Sequence, residues 1–145
     1  MSKWLMILAA VLLAAFCGCT SANSEFKQLP EPTRVLGASE SNRTMQVRVG
    51  EYVKISLKVN PSTGYTWFFR IDKEKNQAKS PIELAGERLV VQDEGNSNKA
   101  GVPGVKELMV HAAAPGFASV IGECKRPGSQ DRPALTVKYG FVVIR

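Results

Sequence analysis

Three cysteines and a single histidine are all that the 145 residues offer to thiol or imidazole chemistry. The cysteines are Cys17, Cys19 and Cys124, and the first two close an apolar N-terminal stretch, so Cys124 stands alone in the body of the chain. A disulfide framework and a cysteine-rich metal site are thereby excluded. His111 would have to carry any Ser/His/Asp or Cys/His arrangement, and it falls inside a strand-like run away from the loops. With no clustered carboxylates beside it, neither an enzyme nor a metal centre is expected, and no cofactor is implied. Long apolar runs are also missing. The longest, Leu5 to Phe16, has about a dozen residues against the ~20 needed for a spanning helix. The chain is basic, with a formal charge of +6, but its cations are scattered and no basic–aromatic motif accompanies them, so nucleic acid is not indicated.

The short apolar run has another use. Lys3 precedes it and the small or thiol residues Cys17, Gly18 and Cys19 follow, which is the layout of a secretory signal. Phe16-Cys17-Gly18-Cys19 resembles the lipobox of bacterial lipoproteins, which implies cleavage before Cys19 and lipidation of its thiol. Ordinary signal cleavage after Ala22, without a lipid, is the alternative. With Thr20 rather than Asp after the cysteine, the resemblance implies the outer membrane, facing the periplasm. The expected organisation is a signal peptide over 1–18, then a lipidated N-terminus, tether and possible first strand over 19–42. A single domain over 43–145 follows. Within the second segment, Thr20 to Pro32 is polar and proline-containing and reads as the tether.

From Thr44 onward the period is two. Met45, Val47 and Val49 alternate with polar residues, as do Val53, Ile55, Leu57 and Val59. Trp67, Phe69 and Ile71 share one face of the next run. Further strands are expected over Ile82–Gln92, Val105–Ala112 and Phe117–Lys125. Leu135, Val137, Tyr139, Phe141 and Val143 then form a last inward row. Short strands parted by Gly/Pro turns, with no helical stretch, specify an all-β antiparallel sandwich.

The stiffest connection is Asn60-Pro61-Ser62-Thr63-Gly64-Tyr65. Pro61 fixes its own φ and pushes Asn60 toward extended backbone, while Gly64 can turn the chain through a positive φ. Two strands separate this loop from Asp93–Gly104, and two more lead to Arg126–Pro133. If successive strands alternate in direction, all three loops share one pole, and the turns at Asp72–Ser80 and Ala113–Gly116 occupy the other.

Asn60-Pro61-Ser62-Thr63-Gly64-Tyr65 resembles the Asn-Pro-Thr-Thr-Gly-Tyr loop of chagasin-type inhibitors of papain-family cysteine peptidases. Gly101-Val102-Pro103-Gly104 is similar to that family's Gly-x-Gly-Gly loop, with Pro103 in place of a glycine. Arg126-Pro127-Gly128 falls where the family has Arg-Pro-Trp, with Gly128 in place of the tryptophan. The resemblance runs from about Arg43 to Arg145. It implies an immunoglobulin-like sandwich acting as a monomer, whose partner is a papain-family cysteine peptidase. Asn60 to Tyr65 would lie over the catalytic cysteine, with Gly101, Pro103 and Gly104 on one side and Arg126 and Pro127 on the other. Restoring Gly128→Trp is the expected way to strengthen the third contact. The rival reading is an envelope lipoprotein that uses the same loop end for protein binding or scaffolding without inhibition.

Overall fold

Each amphipathic strand must cover its apolar side, and in the computed structural model two sheets do this for one another. The structure describes Phe26, residues 28–91 and residues 102–145. The expected signal segment, Cys19 and Gly101 lie outside these described residues. The strands are β1 (Arg34–Leu36), β2 (Arg43–Arg48), β3 (Tyr52–Val59), β4 (Thr66–Lys73), β5 (Ile82–Val91), β6 (Gly104–Ala112), β7 (Gly116–Lys125) and β8 (Leu135–Ile144). One sheet has the order β1-β3-β6-β5, the other β2-β8-β7-β4.

The core is built from the predicted inward rows. Val53, Ile55, Leu57 and Val59 of β3 meet Val137, Tyr139, Phe141 and Val143 of β8 within one buried cluster, which also takes in Trp67 and Cys124. Tyr139 is enclosed completely, and its hydroxyl donates to the Gly37 carbonyl at 2.8 Å, so the one polar atom of the ring is satisfied. Burial, reinforced by the nearby Glu40 charge, pushes its pKa up to about 12. The Cys124 thiol is free and buried, and burial raises its pKa as well. His111 sits at the end of β6 remote from Gly104, stacked on Tyr52 with ring centroids 4.7 Å apart.

Three expectations need correction. The sheets are not wholly antiparallel: β1 pairs with β3 and β2 with β8 in parallel. The cause is local, because Gly37–Asn42 carries the chain from the edge of one sheet to the edge of the other and forms no hairpin. Leu135 opens the last inward row but is 61 % exposed.

The third correction concerns the stretch read as a tether, part of which is packed. Phe26 is only 5 % exposed, and the Arg88 guanidinium lies over its ring, 4.3 Å from the centroid. Gly86 of β5 leaves space for Phe26 and Leu29, since a Cβ there would come within 3.2 Å of Leu29. Farther along, the Thr33 N–H bonds the Tyr52 carbonyl at 2.8 Å, so Phe26 and residues 28–33 strap the outer face of the first sheet.

Arg88, which lies over Phe26, also reaches Glu107. Arg88 Nε donates to its Oε2 at 2.6 Å, and Lys54 Nζ lies 3.1 Å from its Oε1. Burial alone would raise this carboxyl's pKa, but the hydrogen bonds from Arg88 and Lys54 outweigh it and hold the group below its usual range. A depressed carboxyl contributes stability that is complete above the unfolded value of about 4.3 and is lost as pH falls through the lowered folded one. Glu107→Gln is therefore expected to cost about 1–3 kcal/mol at pH 7. It should also flatten the loss of stability below about pH 4, with urea midpoints between pH 7 and 3 as the measurement.

A candidate recognition site at one pole of the sandwich

The first loop is held by its own backbone. Pro61–Thr63 form a single 3₁₀ turn, and the Asn60 side chain caps it by accepting from the Ser62 N–H at 3.1 Å. The Asn60 carbonyl accepts twice, from the Thr63 N–H at 3.1 Å and the Thr63 hydroxyl at 2.7 Å. Gly64 ends the turn at φ 76°, in the left-handed region, and its N–H returns to the Pro61 carbonyl at 3.1 Å. Each residue type that marked this stretch thus has a mechanical task. Asn60, Pro61, Ser62, Thr63 and Gly64 are all exposed, and Tyr65 is half-buried.

At the base of this loop the Trp67 indole N–H donates to the Lys58 carbonyl at 3.0 Å. Trp67 is 4 % exposed and belongs to the core, as expected from its place in the row. The bond ties β4 back to β3 across the loop that joins them.

The other two reversals arrive at the same pole by register. Across the first sheet Val59 pairs with Gly104, and Gly104 with Val91. Across the second, Thr66 pairs with Lys125, and Cys124 with Leu135. Ser62, Gly104 and Arg126 therefore lie at one end. Gly104 is buried so tightly that a Cβ there would stand 3.3 Å from the Val90 carbonyl and 3.6 Å from the Pro61 ring, which sets the first loop against the start of β6. Pro103 beside it is exposed. On the opposite flank the Arg126 guanidinium lies 5.1 Å from the centroid of the Tyr65 ring, which joins the first loop to the third. The first loop is thus the middle member of the three.

Arg126 and Pro127 are exposed and mounted on a tight turn: the Ser129 N–H bonds the Arg126 carbonyl at 3.2 Å, with Gly128 at φ 73°. Proline then glycine at the two central positions is the sequence of a type II turn. Nothing lies within 4 Å of a Cβ at Gly128, so the position is open but the backbone is unsuited to an L side chain. The substitution Gly128→Trp, natural from the sequence, carries a backbone cost that only the structure reveals. The Tyr65–Arg126 stack and the Trp67–Lys58 bond had no sequence signal, because both depend on which strands become neighbours.

A sandwich that brings three chain reversals to one end, the first and third of them braced by their own hydrogen bonds, defines a protein that works by docking loops into a partner. The description "Chagasin family peptidase inhibitor I42" matches residues 46–143, and the chain belongs to that family. Inhibition, not catalysis, is the family's activity. The chain is similar to Amoebiasin-2 of Entamoeba histolytica, at 23 % identity over 111 residues, covering 77 % of this chain and 85 % of that one. In fold it is similar to the crystal structure of the cysteine protease inhibitor EhICP2 from Entamoeba histolytica. There the TM-score is 0.63 and the identity 21 %, over 79 % of this chain and 100 % of that one. PbICP-C, solved in complex with falcipain-2, gives a TM-score of 0.55 at 20 % identity, over 80 % of this chain and 96 % of that one.

Two substitutions test the bracing. Gly64→Ala and Gly128→Trp should each destabilise by about 1–2 kcal/mol, the left-handed backbone penalty of an L residue. Urea denaturation measures both, and an unchanged midpoint would contradict the turn geometry.

Proposed function

We propose that the protein is a reversible inhibitor of papain-family cysteine peptidases and that the loop pole plugs the active-site cleft. The first loop, Asn60 to Tyr65, enters over the catalytic cysteine. Pro103 and Gly104, with Gly101, bear on one wall, and Arg126 and Pro127 on the other. Inhibition is occlusion, and no bond is made or broken. One observation supports this reading above the rest: the Pro61 ring stands beside Gly104 at the start of β6, and Tyr65 lies beneath Arg126, so the first loop is set between the other two loop positions at one pole. Loops already held in shape lose little entropy on docking. The closed hydrogen-bond set of the first loop also opposes the extended pose that cleavage needs.

The purified mature chain should inhibit papain reversibly. Thr63→Arg, which replaces a compact side chain bonded to Asn60 with a long charged one, should raise the inhibition constant at least tenfold. Steady-state rates against inhibitor concentration measure it. No inhibition of several such peptidases at high micromolar concentration would remove the proposal.

We further propose that Cys19 is lipidated and holds the protein at the bacterial outer membrane, facing the periplasm. The charge, length and small-residue exit of residues 1–19 support this, and multiple acyl chains are what firm attachment requires. Cells fed an alkyne fatty acid should label the wild type and fractionate it with membranes. Cys19→Ala should lose both, and labelling that persists in the variant would refute the assignment.

A further inference from the structure

The third loop braces the wedge yet offers it little to bury. From Arg126 to Pro133 its residues are polar, glycine or proline. Interfaces of this kind draw most of their energy from a few apolar or aromatic side chains that become fully desolvated. On this flank Trp67 is sealed in the core, and Tyr65 is half-buried beneath Arg126.

One large apolar side chain remains at the stem of the loop. The Ala134 N–H donates to the Cys124 carbonyl at 2.9 Å and closes the loop, and the next residue is Leu135, paired with Cys124. Alternation assigns Leu135 to the same side as Val137, Tyr139 and Phe141, all of which are buried. At 61 % it is nonetheless the most exposed large apolar residue among those described. Exposure of a lone leucine would mean nothing by itself. Its cause is what matters here. β2 pairs with β8 only from Tyr139 onward, and β1 pairs with β3 only as far as Ile55. Both edge strands stop four residues short of the pole, where Leu135 and Val59 stand. Both inner strands run on without edge neighbours; Val59 stays buried, while on β8 a row built to face the core ends in the open at Leu135.

We propose that Leu135 is the apolar anchor of the third contact, received by an apolar depression on the rim of the peptidase cleft, on the flank that Arg126 reaches. This rests on the reading of the loop pole as the peptidase-binding surface. A side chain mounted on a paired strand position has little freedom left to lose, so its burial converts efficiently into affinity. Covering a leucine is worth roughly ten- to hundred-fold in binding.

The test measures inhibition constants against papain for the purified protein and four variants, each with its urea midpoint. Leu135→Ser should raise the constant about tenfold or more with an unchanged midpoint, and Leu135→Met should retain most of the affinity. Val142→Ser removes an exposed aliphatic paired with Phe117 at the other pole and should change nothing. Thr63→Arg reports on the parent reading. If Thr63→Arg abolishes inhibition while Leu135→Ser stays within twofold of wild type, Leu135 is not an anchor and the wedge stands. If the wild type inhibits nothing, both readings fall together.

Discussion

The bond from the Trp67 indole to the Lys58 carbonyl is the contact on which the loop pole depends. The second and third reversals join strands that pair within one sheet, β5 to β6 and β7 to β8. Only the first passes from one sheet to the other. The separation of the sheets at this end therefore fixes how far apart the outer two loops stand, and Trp67 spans that separation. Its ring is buried in the core there, and its N–H, the ring's one polar atom, is satisfied by the Lys58 carbonyl. Pro61 against Gly104 and Arg126 over Tyr65 then lock the middle loop to its neighbours.

The sandwich and its pole could be read from residue order because both rest on local rules. Rows such as Val53-Ile55-Leu57-Val59 can bury one face only as strands, and Asn60-Pro61…Gly64 and Pro127-Gly128 name their own turns. Counting strands between turns then places the loops. What could not be read depends on partners distant in sequence. Leu135 looks like any other member of its row, and nothing near it reveals that β2 begins pairing only at Tyr139. Phe26 sits in a polar stretch, and its burial is decided by Gly86 and Arg88, some sixty residues on. The parallel pairing of β1 with β3 and of β2 with β8 follows from a crossover whose direction neither strand encodes.

The outer faces of the sandwich follow a different logic from its interior. Glu107 is flanked by Lys54 and Arg88 and is 8 % exposed, so a charge on the outward side of β6 is nearly as enclosed as the core. A carboxylate there is tolerated because two cations compensate its desolvation. The same Arg88 turns its face to Phe26. One guanidinium thus couples an ion pair within the sheet to the segment laid across it, which specifies where the N-terminal chain must lie.

Cys124 gives the molecule a further property. It is paired in register with Trp67 and Leu135, is 8 % exposed, and burial disfavours its thiolate. No described residue therefore presents a reactive sulfur at the pole. A protein that meets an enzyme whose nucleophile is itself a thiol has good reason to keep its own out of reach, since exchange between sulfurs would turn a separable complex into a permanent adduct. Its burial keeps the Cys124 thiol from forming such an adduct.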